Sequence, residues 1–62
     1  MRVSDNELTA RAELYIRQVD ASFPGTSGEF RRNQTLRALM NTFPGIRERD
    51  LALAIEVAIQ ST

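Results

Sequence analysis

Cysteine and histidine are both missing from this 62-residue chain. With them go disulfide cross-links, the usual transition-metal ligands, and the side chains most often recruited as nucleophile or general base. The carboxylates that remain are accounted for as helix caps and ion-pair partners, so no enzymatic activity, no cofactor and no metal site is expected. Asp5-Asn6-Glu7 is too short for a calcium loop, and Gly25-Thr26-Ser27-Gly28 lacks the lysine and the preceding strand of a phosphate-binding loop. An excess of one charge is missing as well. Eight basic residues, all of them arginine, cancel eight acidic ones, which leaves little long-range attraction to nucleic acid or to an anionic membrane. No apolar run approaches the ~20 residues that cross a bilayer. Met1-Arg2-Val3-Ser4-Asp5 has no signal-peptide apolar core, and the expectation is a cytoplasmic protein with no membrane partner.

Glycine and proline are scarce, yet they are placed with effect. Phe-Pro-Gly occurs at Phe23-Pro24-Gly25 and again at Phe43-Pro44-Gly45, each time after a stretch whose apolar residues recur at helical spacing. Proline cannot donate the amide a continuing helix needs, and glycine readily takes a left-handed turn. The pattern predicts an all-α, compact three-helix domain, a single unit over 1–62, with helices at approximately 5–23, 28–43 and 47–60. The same offset aligns Arg11 with Arg31 and Val19 with Leu39, which is read as two helices sharing one stop signal rather than as a repeat array.

Ser4-Asp5-Asn6-Glu7 fits a reciprocal capping box for the first helix, in which Glu7 with Arg11 and Glu13 with Arg17 form acid-before-base pairs four apart. A second box from Thr26 to Glu29, or a cap at Asn33, would start the second helix. The periodicity assigns Leu8, Tyr15, Ile16, Val19 and Phe23 to the core from the first helix, Leu36, Leu39, Met40 and Phe43 from the second, and Leu51, Ile55 and Ile59 from the third.

The third helix is apolar almost all round, which predicts burial from several directions and a place between the other two helices and something further. Leu53 and Val57 lie nearly opposite its main stripe, and Leu14 lies on the back of the first helix beside Ala10 and Ala21. These surplus apolar positions suggest a protein-interaction module, a regulator or adaptor that self-associates as a homodimer through helix three, with Leu14, Leu53 and Val57 as contact residues. A chain this small buries only about 60% of its unfolded surface, so a partner subunit would also help it fold.

Two other readings are open. Helices two and three could form a helix-turn-helix that binds DNA, with Arg31, Arg32, Arg37, Arg47 and Arg49 as candidate phosphate contacts. Against it, the recognition helix would be the most apolar of the three, and Glu48 and Asp50 would face phosphate. The segment Leu36-Arg37-Ala38-Leu39-Met40-Asn41-Thr42-Phe43-Pro44-Gly45-Ile46, followed by Leu51-Ala52-Leu53-Ala54-Ile55, resembles the first two helices and Phe-Pro loop of CUE-type ubiquitin-binding domains. It differs in having Thr42 where that family usually has methionine, and no third helix with its leucine pair follows. The resemblance implies a ubiquitin-like contact through Phe43 and Pro44.

Overall fold

A computed structural model describes residues 4–61; Met1, Arg2, Val3 and Thr62, which the N-terminal and C-terminal readings invoke, lie outside the described residues. Three helices form, α1 over Asp5–Ser22, α2 over Gly28–Thr42 and α3 over Glu48–Ser61. Each packs against both of the others.

Helix starts follow side-chain capping. Ser4 is in extended conformation and its Oγ accepts the Glu7 amide at 3.1 Å, satisfying one of the amides a helix start leaves unpaired. The return bond from the Glu7 carboxylate is not made, so only half of the expected box forms. For α2 the cap is Ser27, whose Oγ accepts the Phe30 amide at 3.2 Å. This corrects the expectation of Thr26 or Asn33: the extended backbone at Ser27 lets the helix begin at Gly28, which leaves Thr26 one residue too early and Asn33 inside. The carbonyl of Arg47 accepts from Asp50 and Leu51 and opens α3.

The first two helices stop one residue short of expectation. Phe23 (φ −133°) and Phe43 (φ −126°) have left the helical region, although their amides still bond the carbonyls of Val19 and Leu39. The two Phe-Pro-Gly copies then diverge, because Gly25 takes a left-handed φ of 80° and Gly45 does not.

The core draws on Leu8, Ala12 and Ile16 from α1, Thr35 and Leu39 from α2, and Leu51, Ala54, Ile55 and Ala58 from α3. Tyr15, Leu36, Phe43, Ile46 and Ile59 pack around it. Its alanines let backbones approach closely, so the small residues at the centre are as much a part of the packing as the large ones. Three expected core residues are corrected. Val19 is only partly buried and is not among the side chains packed on the core. Phe23 is 48% exposed and Met40 is 44% exposed. Phe23 leaves the stripe because the backbone turns at that residue, and its ring meets Phe30 edge-on at 5.3 Å. Met40 is displaced because α2 turns Thr35 and Leu39 inward, and the residue after Leu39 lies about 100° round the helix.

Polar clasps hold the helices at their margins. Arg31 grips Asp20 on α1: Nη2 donates to Oδ2 at 2.9 Å, while Nε makes an ionic contact with Oδ1 at 2.8 Å without an aligned N–H. Arg32 turns the other way and meets Glu56 on α3 at 2.8 Å. Thr42 donates its hydroxyl proton to the Ala38 carbonyl, so in the 2.6 Å contact between Tyr15 and Thr42 it is the tyrosine that donates. The intrahelical pairs expected for Arg11 and Arg17 are not formed. Exposed i, i+4 pairs hold their long side chains with only a few tenths of a kcal/mol, so conformational entropy competes well with them.

Candidate functional site

Among the described residues a depression lies between the start of α1 and the outer flank of α3. It has a volume of about 390 Å³ and is lined by Asp5, Leu8 and Thr9 from α1 and by Asp50, Leu53, Ala54 and Val57 from α3. The sequence explains its shape. Leu53 and Val57 stand four residues apart, hence on one flank of α3, and the stripe made by Leu51, Ala54, Ile55 and Ala58 is already engaged inside. Small Ala54 and short Thr9 line the floor and wall where larger side chains would have filled the gap.

Leu53 is 61% exposed and Val57 is 50% exposed. The three-helix core therefore does not cover them, and α3 is not enclosed on all sides as its composition suggested. Its buried stripe faces the other two helices, and the flank holding these residues faces solvent. The groove's ionisable residues are Asp5 and Asp50, and neither is matched by an arginine in an ion pair. Its lining joins apolar side chains to two carboxylates.

Leu14 is also exposed, at 42%, but it does not line this groove. Five residues after Thr9, it stands about 140° further round α1. The structure thus brings Leu53 and Val57 together and sets Leu14 on a separate face. Sequence reasoning missed the contributions of Asp5, Leu8 and Thr9; the signal that could have revealed them is the tertiary packing of α1 on α3, which no spacing within one helix contains.

The candidate phosphate contacts are divided. Arg31 and Arg32 are held by Asp20 and Glu56, whereas Arg37, Arg47 and Arg49 are exposed and form no ion pair. Phe43 is partly buried against the core, with Pro44 exposed beside it. A second depression, of about 460 Å³ on the outer side of α2, is lined by Phe30, Asn33, Gln34, Leu36, Arg37 and Met40 together with Glu48, so its charges are mixed. No helix among the described residues is long and apolar enough to cross a membrane. No family model matches the chain, and no curated protein or solved structure shows significant similarity to it.

Proposed function

We propose that this chain is a non-enzymatic, cytoplasmic protein-interaction module of the regulator or adaptor kind, and that it self-associates through the groove bounded by Leu53 and Val57. One observation carries the reading: two large aliphatic side chains, side by side on a helix whose opposite face is fully used, line a concavity and stay half or more exposed. Exposed apolar area concentrated in one place usually marks a contact, and fully burying an aliphatic side chain of this size contributes about 1.5–3 kcal/mol. A second copy is a partner always present at the chain's own concentration, and its binding would add stability to a domain near the lower size limit.

Two further observations favour this reading over its rivals. Arg31 and Arg32 would each have to leave a carboxylate to contact phosphate, which weakens the helix-turn-helix reading. Packing of Phe43 against the core leaves less of its ring for a ubiquitin-like surface.

The test is sedimentation over a thousandfold range of concentration, with Leu53→Asp beside the wild type. The expected result is reversible association of the wild type and a monomeric variant with unchanged helical circular dichroism. A wild type that remains a folded monomer throughout would refute self-association. Unfolding of Leu53→Asp would assign the residue to the core instead.

A further inference from the structure

The groove's own charges make it a poor match for itself. A two-fold contact places the same patch on both sides of the interface, and both patches would then carry Asp5 and Asp50 with no basic residue among those that line the groove. Like charges brought together at an interface with no cation between them oppose association. Arg49 stands one turn before Leu53 on the helix surface but does not line the groove. A better-matched surface on a second copy is a different one, both apolar and basic.

The chain has such a surface. Leu14 stands out from α1, and its four neighbours on the helix surface, three and four residues away in each direction, are Ala10, Arg11, Arg17 and Gln18. All four are exposed. None is acidic, and neither arginine is engaged in an ion pair. The arrangement is one aliphatic knob flanked by a cation one turn before it and another one turn after it, with alanine rather than a bulky residue beside it. A helix presenting an apolar anchor is a common occupant of an apolar groove. The outer depression of α2 fits less well, since Glu48 lines it together with Arg37.

We infer that the two surfaces are a matched pair: the Leu14 face of one copy, with Arg11 and Arg17, seats in the α1–α3 groove of the next, with Leu53 and Val57 beneath it and Asp5 and Asp50 opposite the arginines. The inference rests on the self-association proposed above and specifies its geometry. With the two surfaces engaging different neighbours the contact is head-to-tail, and each added copy leaves one free groove and one free Leu14 face; engaged reciprocally between the same two copies they would close a two-fold dimer instead. Head-to-tail association continues past the dimer until a ring closes, unlike a two-fold pair, which stops at two.

The experiment mixes two half-disabled chains. Leu14→Asp removes the knob and keeps the groove; Leu53→Asp spoils the groove and keeps the knob. Sedimentation velocity is run on the wild type, on each variant alone and on the equimolar mixture, with circular dichroism confirming helix content. The expected result is a wild type whose mass rises beyond a dimer, two monomeric variants, and a mixture that forms a one-to-one dimer and grows no further. Should either variant lose its helical signal, Leu14→Ser and Leu53→Ser take their places in the same design. A wild type that associates while Leu14→Asp does so equally well overturns the head-to-tail geometry and leaves self-association standing. A mixture that stays monomeric overturns it also. A monomeric wild type removes the underlying reading and the inference with it.

Discussion

Thr35 is fully buried, at 0% exposure, and its hydroxyl has no hydrogen-bond partner. A threonine within a helix can return its hydroxyl to the carbonyl four residues back, here that of Arg31, but that bond is not made. Valine has the same branched shape with a methyl in place of the hydroxyl, so Thr35→Val changes polarity without changing volume much. An unsatisfied buried hydroxyl costs roughly 1–3 kcal/mol, and an added buried methyl contributes about 0.8 kcal/mol. Helix propensity is nearly the same for the two residues. Allowing for relaxation around the site, a stabilisation of about 1–2 kcal/mol is expected, against a total of roughly 3–9 kcal/mol for a domain of this length. For so small a domain each kcal/mol moves Tm by about 4–8 °C. The assay is thermal unfolding followed by circular dichroism at one fixed protein concentration, since self-association would make Tm concentration-dependent. Thr35→Ser is the control: it keeps the hydroxyl, loses the buried methyl and should lower Tm. A valine variant less stable than wild type would refute the reasoning, because it would mean that the hydroxyl is satisfied in solution.

Three other substitutions test local features. Gly25→Ala should cost about 1 kcal/mol because its φ of 80° is left-handed, whereas Gly45→Ala should be neutral or slightly stabilising, as its Cβ would meet nothing within 4 Å; equal effects in urea unfolding would contradict the distinction. Ser27→Ala should lose about 1 kcal/mol through the unpaired Phe30 amide, while Thr26→Ala should not reproduce that loss. Tyr15→Phe removes the 2.6 Å bond to Thr42 and should cost about 0.5–1.5 kcal/mol; in a double-mutant cycle with Thr42→Ala, the two effects should fail to add.

The helices were legible because their apolar residues recur with the helical period, and the inward positions of Leu8, Ile16, Leu39, Leu51 and Ile55 follow from that period alone. The same rule failed at Phe23, where it was carried one residue past the end of the helix it describes, and at Met40, because hydrophobicity does not reveal that Thr35 takes the inner place. Thr35 itself was hidden by its polarity. At the site, Leu53 and Val57 were legible as surplus to one helix's core stripe. Their separation from Leu14 was less so, since an apolar back on α1 and another on α3 look alike until the packing angle of the two helices is known. The ion pairs were the least legible feature. Spacing of four within a helix suggested Glu7 with Arg11 and Glu13 with Arg17, whereas the structure uses arginine between helices.

Arg31 and Arg32 are neighbours in sequence, and about 100° of helical rotation separates them. One points to α1 and the other to α3. Each pair is exposed and contributes only about 0–1 kcal/mol, yet together they bracket α2 from two sides. Rolling α2 by a single residue would swing each guanidinium through that same angle and uncouple both carboxylates at once. The dipeptide therefore adds a rotational preference to the one already set by burial of Leu39. Surface contacts of small energy thus agree with the core about which row of α2 is the inner one.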